Sequence, residues 1–287
     1  MEGREIVSAV SRSESREQNS RCRIVAVTSG KGGVGKTNMV VNTAIRLSRS
    51  NRKVLVVDMD LGLANVDLLF DADIRYNLAD VVSGDKTLSD IIVRTEEGID
   101  VIGGVSGIES IANLDEDRRT RILSELMDIE YMYDLIIIDT GAGISNNVMN
   151  FVRAADDIVI VTLPEQPSVL DAYVMLKLLS KTGHANGVSI VVNMCSDAGE
   201  GKMVFERLSG TAVKRLGAEI KYLGAIPFDN SVRASIRRRK PFLVNHPKSP
   251  AARGLAKICE HEMWGAAGRS GVPVRKRSFF RRIFNAF

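Results

Sequence analysis

Residues Gly30-Lys31-Gly32-Gly33-Val34-Gly35-Lys36-Thr37 fit the spacing G-x-x-x-x-G-K-[ST], which binds phosphate where it follows a strand and opens a helix. Glycines let the backbone fold tightly, so that successive N–H groups converge on phosphate oxygens. Lys36 neutralises the outer oxygens, and the Thr37 hydroxyl can hold Mg²⁺. Lys31 is a second lysine inside the loop. A loop wrapped around its own phosphates leaves that side chain pointing outward, either to serve a neighbouring subunit or to be solvated.

Carboxylates placed for phosphoryl transfer follow two apolar runs. Val57-Asp58-Met59-Asp60 puts two acids at a strand end, and Ile138-Asp139-Thr140-Gly141-Ala142-Gly143 puts one before a glycine turn. Ligands of open α/β sheets bind at the C-terminal ends of the strands, so Asp139 is the metal-side carboxylate expected here. Asp60 is a candidate for the water-activating acid, although a strand-end Asp also forms turns. Asn193 and Pro227-Phe228-Asp229 close two further runs, where such a fold shuts over a purine; an amide pairing to adenine and an ordinary turn both suit Asn193.

These residues need a sheet edge to gather them. Short β-branched runs at 24–27, 54–57, 101–102, 135–138, 158–161, 188–192 and 222–226 alternate with stretches at 37–50, 116–127, 169–179 and 202–216, whose apolar residues return every three or four positions. Continuous apolar strands between amphipathic helices imply a doubly wound α/β domain, a mostly parallel sheet with helices on both faces. The expected organisation is a polar extension over 1–22, one nucleotide-hydrolysing body over 23–264, a small-residue linker over 265–274 and a basic tip over 275–287.

The loop with its extra lysine resembles the deviant Walker A signature of the MinD/ParA ATPases. The likeness runs from about Arg23 to His261 and takes in Lys36-Thr37-Asn38, Leu61-Gly-Leu-Ala-Asn65-Val-Asp67, Arg75-Tyr-Asn-Leu78, Asp139-Thr-Gly-Ala-Gly-Ile-Ser145, Val191-Val-Asn-Met194, Ser231-Val-Arg-Ala234 and Pro241-Phe242. As a set these are most similar to the flagellar-number regulators of the FlhG/FleN branch, with division-site MinD second and ParA-like DNA partitioning third. The resemblance implies a Mg²⁺-dependent ATPase that forms a nucleotide-sandwich homodimer, with Lys31 reaching the partner's phosphates, Asp60 activating water and Asp58 helping to order the metal shell. It implies that Gly30, Gly32, Gly33, Val34, Gly35, Lys36, Thr37, Asn38, Asn193, Pro227 and Asp229 hold ATP, and adenine rather than guanine follows from it alone. Implied partners are the GTPase FlhF, the C-ring switch proteins and a flagellar transcription regulator. The branch often carries an N-terminal Asp-Gln-Ala motif; here only Glu17-Gln18-Asn19 stands, which leaves stimulation of that GTPase without its usual motif.

The tip has a chemistry of its own. Phe279, Phe280, Ile283, Phe284 and Phe287 fall within an arc of about 140° at helical spacing, with Ser278, Arg281, Arg282 and Asn285 opposite. This basic amphipathic pattern suits an anionic membrane surface, and also a helix packed on the protein itself. One tip binds weakly and two on a dimer bind more strongly, so nucleotide would govern residence on the inner face of the cell membrane.

The 39 Lys and Arg exceed the 35 Asp and Glu by four, but Arg275, Lys276, Arg277, Arg281 and Arg282 supply five of them, and the rest of the chain balances at −1. The basicity is local and does not indicate a nucleic-acid-binding body. Arg237-Arg238-Arg239-Lys240 is a second basic run, of the kind that usually ends a solvated helix, so DNA is not an expected partner. Cys22, Cys195 and Cys259 are far apart and His184, His246 and His261 isolated, which opposes a disulfide framework, a zinc site and a cysteine-held cluster. With no apolar leader, the expected location is the cytoplasm.

Overall fold

The computed structural model describes residues 22–60, 66, 69–70, 74–104, 114–264, 278–284 and 286. The expectations for the 1–21 extension, for most of the Leu61–Asp67 motif, for the linker, for Arg275 to Arg277 and for Phe287 lie outside them.

Seven apolar runs form the strands expected of them: β1 (Arg23–Ser29), β2 (Val54–Met59), β4 (Asp100–Ile102), β5 (Leu135–Ala142), β6 (Asp157–Thr162), β7 (Ser189–Cys195) and β8 (Lys221–Pro227). Together with β3 (Ile92–Arg94) they make a sheet in the order β3-β4-β2-β5-β1-β6-β7-β8. Every pairing is parallel except β3 with β4. Strand β3 went unread because it is three residues long and follows directly on a short helix.

Helices cover both faces. They are α1 (Lys36–Ser48), α2 (Leu78–Ser83), α3 (Leu88–Ile91), α4 (Glu116–Met132), α5 (Asn146–Ala154), α6 (Gln166–Ser180), α7 (Ala198–Leu216), α8 (Asn230–Arg237), α9 (Phe242–Asn245), α10 (Pro250–Cys259) and α11 (Phe279–Phe284). Side-chain oxygens cap several of them: Asp115 accepts from Arg118 N–H, Asp197 from Glu200 N–H and Ser249 from Ala252 N–H. Because successive strand residues point to opposite faces, β1 sends Ile24 and Ala26 into one core with α4, α5, α6 and α7, and Val25 and Val27 into a second core with α1, α9 and α10. The central strands are thereby covered on both sides.

The tip is docked on the body. Phe279 and Ile283 are fully buried and Phe280 is 2% exposed, and they join the first core beside Leu126 and Ile129 of α4 and Phe151 and Val152 of α5. Phe279 and Phe280 meet edge to face at 5.3 Å. Polar contacts rim this apolar plug. Glu130 accepts from Ser278 Oγ at 2.6 Å and from Phe280 N–H at 3.1 Å, and Arg282 pairs with Asp156 at 3.0 Å. Of the helix's described basic residues, Arg281 is exposed. The face expected to meet a membrane is therefore the face that holds α11 to its own protein in this state.

Candidate functional site

The first strand delivers the loop to the C-terminal edge of the sheet, where α1 begins at Lys36. Local geometry requires glycine at two points. A Cβ on Gly30 would lie 2.6 Å from the backbone of Asp171, and Gly35 has φ +85° with Asn193 Nδ2 only 2.5 Å from where its Cβ would stand. Gly35 occupies the cap position of α1 without a side-chain cap, so the first N–H groups of the helix are left for a ligand. Ser29 Oγ donates to Lys31 O at 2.9 Å, and Gly143 N–H donates to Ser29 O at 2.8 Å, joining the loop to the turn after β5.

A cleft of about 480 Å³ opens over this loop, within the range of small-molecule sites. Of the residues expected to bind nucleotide, Gly32, Gly33, Val34, Gly35, Lys36, Thr37, Asn38, Asn193, Pro227 and Asp229 line it, and so does Asp60. Gly30 does not; it is packed against Asp171. Lys31 also stands outside the lining and is exposed, as the outward orientation requires.

Asp58 and Asp139 stand side by side in the register of β2 and β5, at 0% and 1% exposure, behind the loop. Lys36 Nζ reaches Asp139 Oδ1 at 2.6 Å. Burial pushes the Asp139 carboxyl up from the ordinary Asp value, and Lys36 opposes that shift. The geometry marks an ion pair, since a protonated acid would leave the buried ammonium without a counter-charge. Asp139 Oδ2 is buried with no hydrogen-bond partner among the described residues, and the Thr37 hydroxyl lies beside the same carboxylate. An orphaned oxygen next to a hydroxyl fits a Mg²⁺ that takes its other ligands from phosphate and water; among the described residues, no cluster of three or more His, Cys, Asp or Glu makes a self-contained metal site. Asp58 also shapes the chain, accepting from Asp60 N–H at 2.9 Å and Val66 N–H at 3.4 Å.

Met194, Phe228, Val232, Arg233, Ile236 and Phe242 also line the cleft, and the Arg233 guanidinium lies 5.1 Å from the Phe228 ring centroid. Arg233 was missed as a site residue because nothing in its type or spacing separates it from a solvated arginine; a closed fold brings it back to the loop. Both polar side chains expected near the base already have protein partners: Asn193 Nδ2 donates to Val34 O at 2.8 Å and its Oδ1 accepts from Met194 N–H at 2.9 Å. Asp229 caps α8 through Ser231 N–H at 2.8 Å and ties in Ala251 N–H at 3.0 Å. Burial works against that carboxylate, but these donors, with the Ser249 hydroxyl, hold it below the ordinary Asp range.

A phosphate-cradling loop before a helix, two buried carboxylates at adjacent strand ends and a doubly wound sheet define a P-loop nucleotide-binding protein. The family model described as ParA, "NUBPL iron-transfer P-loop NTPase", matches residues 21–263. The chain belongs to the ParA family of P-loop NTPases. It is 34% identical over 238 residues to the antiactivator FleN of Pseudomonas aeruginosa, covering 83% of this chain and 85% of the relative. To the flagellum site-determining protein YlxH of Helicobacter pylori it is 35% identical, covering 78% and 76%. Among solved structures, the septum site-determining protein MinD from Pyrococcus horikoshii, complexed with Mg-ADP, superposes with a TM-score of 0.65 at 26% identity, over 83% of this chain and 94% of that one.

Proposed function

We propose that the chain is a Mg²⁺-dependent ATPase that dimerises on ATP, associates reversibly with the inner face of the cell membrane, and regulates the number and placement of flagella. The observation that carries the chemistry is the convergence of Lys36, Thr37, Asp139 and Asp60 on one loop, with Lys31 turned out of its own cleft. In this scheme the loop N–H groups and Lys36 hold the outer phosphates, Thr37 and Asp139 hold the metal, and Asp60 orients the attacking water. Lys31 supplies its charge to the partner's phosphates, as an arginine finger does elsewhere. Bound Mg²⁺ would neutralise charge developing on the transferred phosphoryl group.

FleN and YlxH support the flagellar assignment, and FlhF, the C-ring switch proteins and a flagellar transcription regulator are the partners proposed with it. The likeness to MinD keeps division-site placement as the second reading. Iron transfer, which the family description names, would draw on grouped thiolates. Here Cys22, Cys195 and Cys259 lie at the start of β1, the end of β7 and the end of α10, and burial pushes the last two thiols up to about 12.

Replacing Asp60 by Ala should abolish phosphate release while ATP still binds by titration calorimetry. Retained turnover would refute its role. Deleting the gene in its host should change the number of flagella counted per cell, and an unchanged number with misplaced septa would move the assignment to division-site placement.

A further inference from the structure

Between Asn230 and Cys259 the chain carries eight Lys and Arg and no Asp or Glu. This stretch holds α8, α9 and α10. Elsewhere on the surface cations stand beside acids, as Arg121 does with Glu125 and Lys202 with Glu206. Among the described residues, none of these eight is paired with an acid. Arg233 and Arg237 to Lys240 are exposed. A field of one sign without counter-charge repels itself, and it suits a partner of the opposite sign.

The end of α8 holds this charge at a cost. Arg239 N–H donates to Ile236 O and Lys240 N–H to Ser235 O, which leaves Arg239 in the left-handed region at φ +51°. Helices ordinarily terminate on glycine there, as α7 does at Gly217 with φ +61°. The helix dipole favours cations in the last turn, but it gives no reason for an arginine in a conformation that penalises its Cβ.

Two aliphatic side chains stand among the cations. Ile236 is 43% and Val244 38% exposed. Asn245 Nδ2 donates to Ser235 Oγ at 3.1 Å, a bond between their chain neighbours, so both belong to one patch with Arg237 and Lys240. A phosphodiester backbone has no use for bare aliphatic groups. A bilayer takes larger ones, but Phe242 and Leu243 are buried in the second core, so the patch has little to insert. The chain's own first 21 residues hold four Glu and four Arg and bring no net negative charge.

We propose that α8 and α9 form a docking surface for an acidic amphipathic helix of a partner protein. Ile236 and Val244 meet its apolar face, and Arg237, Arg239 and Lys240 meet its flanking carboxylates. Arg233 and Ile236 also line the cleft, so the partner sits beside the nucleotide site.

The probe is a labelled synthetic helical peptide with Leu along one face and Glu on both flanks, and its binding to the full chain without nucleotide is read by fluorescence anisotropy. A peptide of the same composition in shuffled order is the control, and duplex DNA and anionic vesicles are competitors. Arg237→Glu combined with Lys240→Glu should weaken binding about tenfold, and Val244→Ser severalfold, with melting temperature as the check on folding. Arg239→Gly should melt higher than the unsubstituted protein and yet bind the peptide more weakly, which no loss of structure can imitate. Failure of the peptide to bind, equal binding of the shuffled one, or displacement by DNA or vesicles as effective as by unlabelled peptide would overturn the proposal. So would an Arg239→Gly variant that gains no stability or loses no binding.

Discussion

Glu130 shows how a single buried acid sets the terms of a docked element. Burial pushes its carboxyl above the ordinary value of 4.5, and the hydrogen bonds from Ser278 and Phe280 N–H, with the charge of Arg282, pull the other way; Asp156 nearby adds to the rise. Because the folded-state value is raised, this residue's contribution to stability is fully present below 4.5 and is lost as pH rises through the folded value. Glutamine at this position can still accept both hydrogen bonds without carrying the charge. Glu130→Gln should therefore gain on the unsubstituted protein as pH rises from 4.5 toward neutrality, read as a difference in melting temperature that moves in the variant's favour. A difference that stays constant across that range would mean the acid does not titrate against folding.

The same scale separates what was legible from what was not. Lys36, Thr37 and Asp139 could be assigned from sequence because type, spacing and strand context coincide at each. Asn193 could be placed near the cleft, but its bond to Val34 across 159 residues leaves no local trace. Arg233 and Met194 line the cleft, yet nothing in their type or spacing marks them as site residues. Glu130 carried no signal at all: it sits in an ordinary helical pattern, and its importance comes from Ser278, far along the chain.

At the scale of elements, seven strands and the helices α1, α4, α6, α7 and α11 declare themselves by period, and the basic run at 237–240 marks the end of α8, while α2, α3, α5, α9 and α10, none longer than ten residues, do not. The last helix is the instructive case. Its apolar arc is plain in the sequence, but an arc specifies only that something apolar covers it, and here α4 and α5 are the cover. A helix of six described residues is marginal alone, so docking and the proposed membrane contact would compete for the same face. The rim at Glu130 and Asp156 should therefore control its release. Glu130→Ala combined with Asp156→Ala removes the acceptor of Ser278 Oγ and Phe280 N–H and the carboxylate that pairs with Arg282, and a buried donor left unpaired costs about 1–3 kcal/mol. That variant should pellet with anionic vesicles in the absence of nucleotide, severalfold more than the unsubstituted protein, and neutral vesicles should not recover it. If pelleting were unchanged, the rim would not be what keeps the tip from lipid.

For the whole molecule, the geography of the sheet sets a problem of distance. The phosphate loop stands at the C-terminal edge of the strands, whereas the contacts that hold α11 gather at the opposite edge: Asp156 precedes β6, and Arg23, which opens β1, pairs with Asp157 at 2.6 Å. Helix α5 spans the two, beginning at the Ser145 cap just beyond the turn that binds Ser29 O and ending beside Asp156, with Asn150 donating to Ala286 O on the way. The dimer proposed on the cleft and the tip stored at the other edge would thus be physically separate, and they should be separable by substitution. Lys31→Ala should lose the ATP-specific doubling of mass seen by light scattering while its monomer keeps the same melting temperature, because an exposed side chain outside its own cleft supports no core. Removing residues 275–287 should do the reverse, abolishing vesicle pelleting while ATP still doubles the mass. If the Lys31 variant dimerised normally, that lysine would not complete a partner's site. If the truncated chain pelleted as before, lipid contact would have to lie elsewhere on the body, where Arg237 to Lys240 form an exposed basic run at the end of α8.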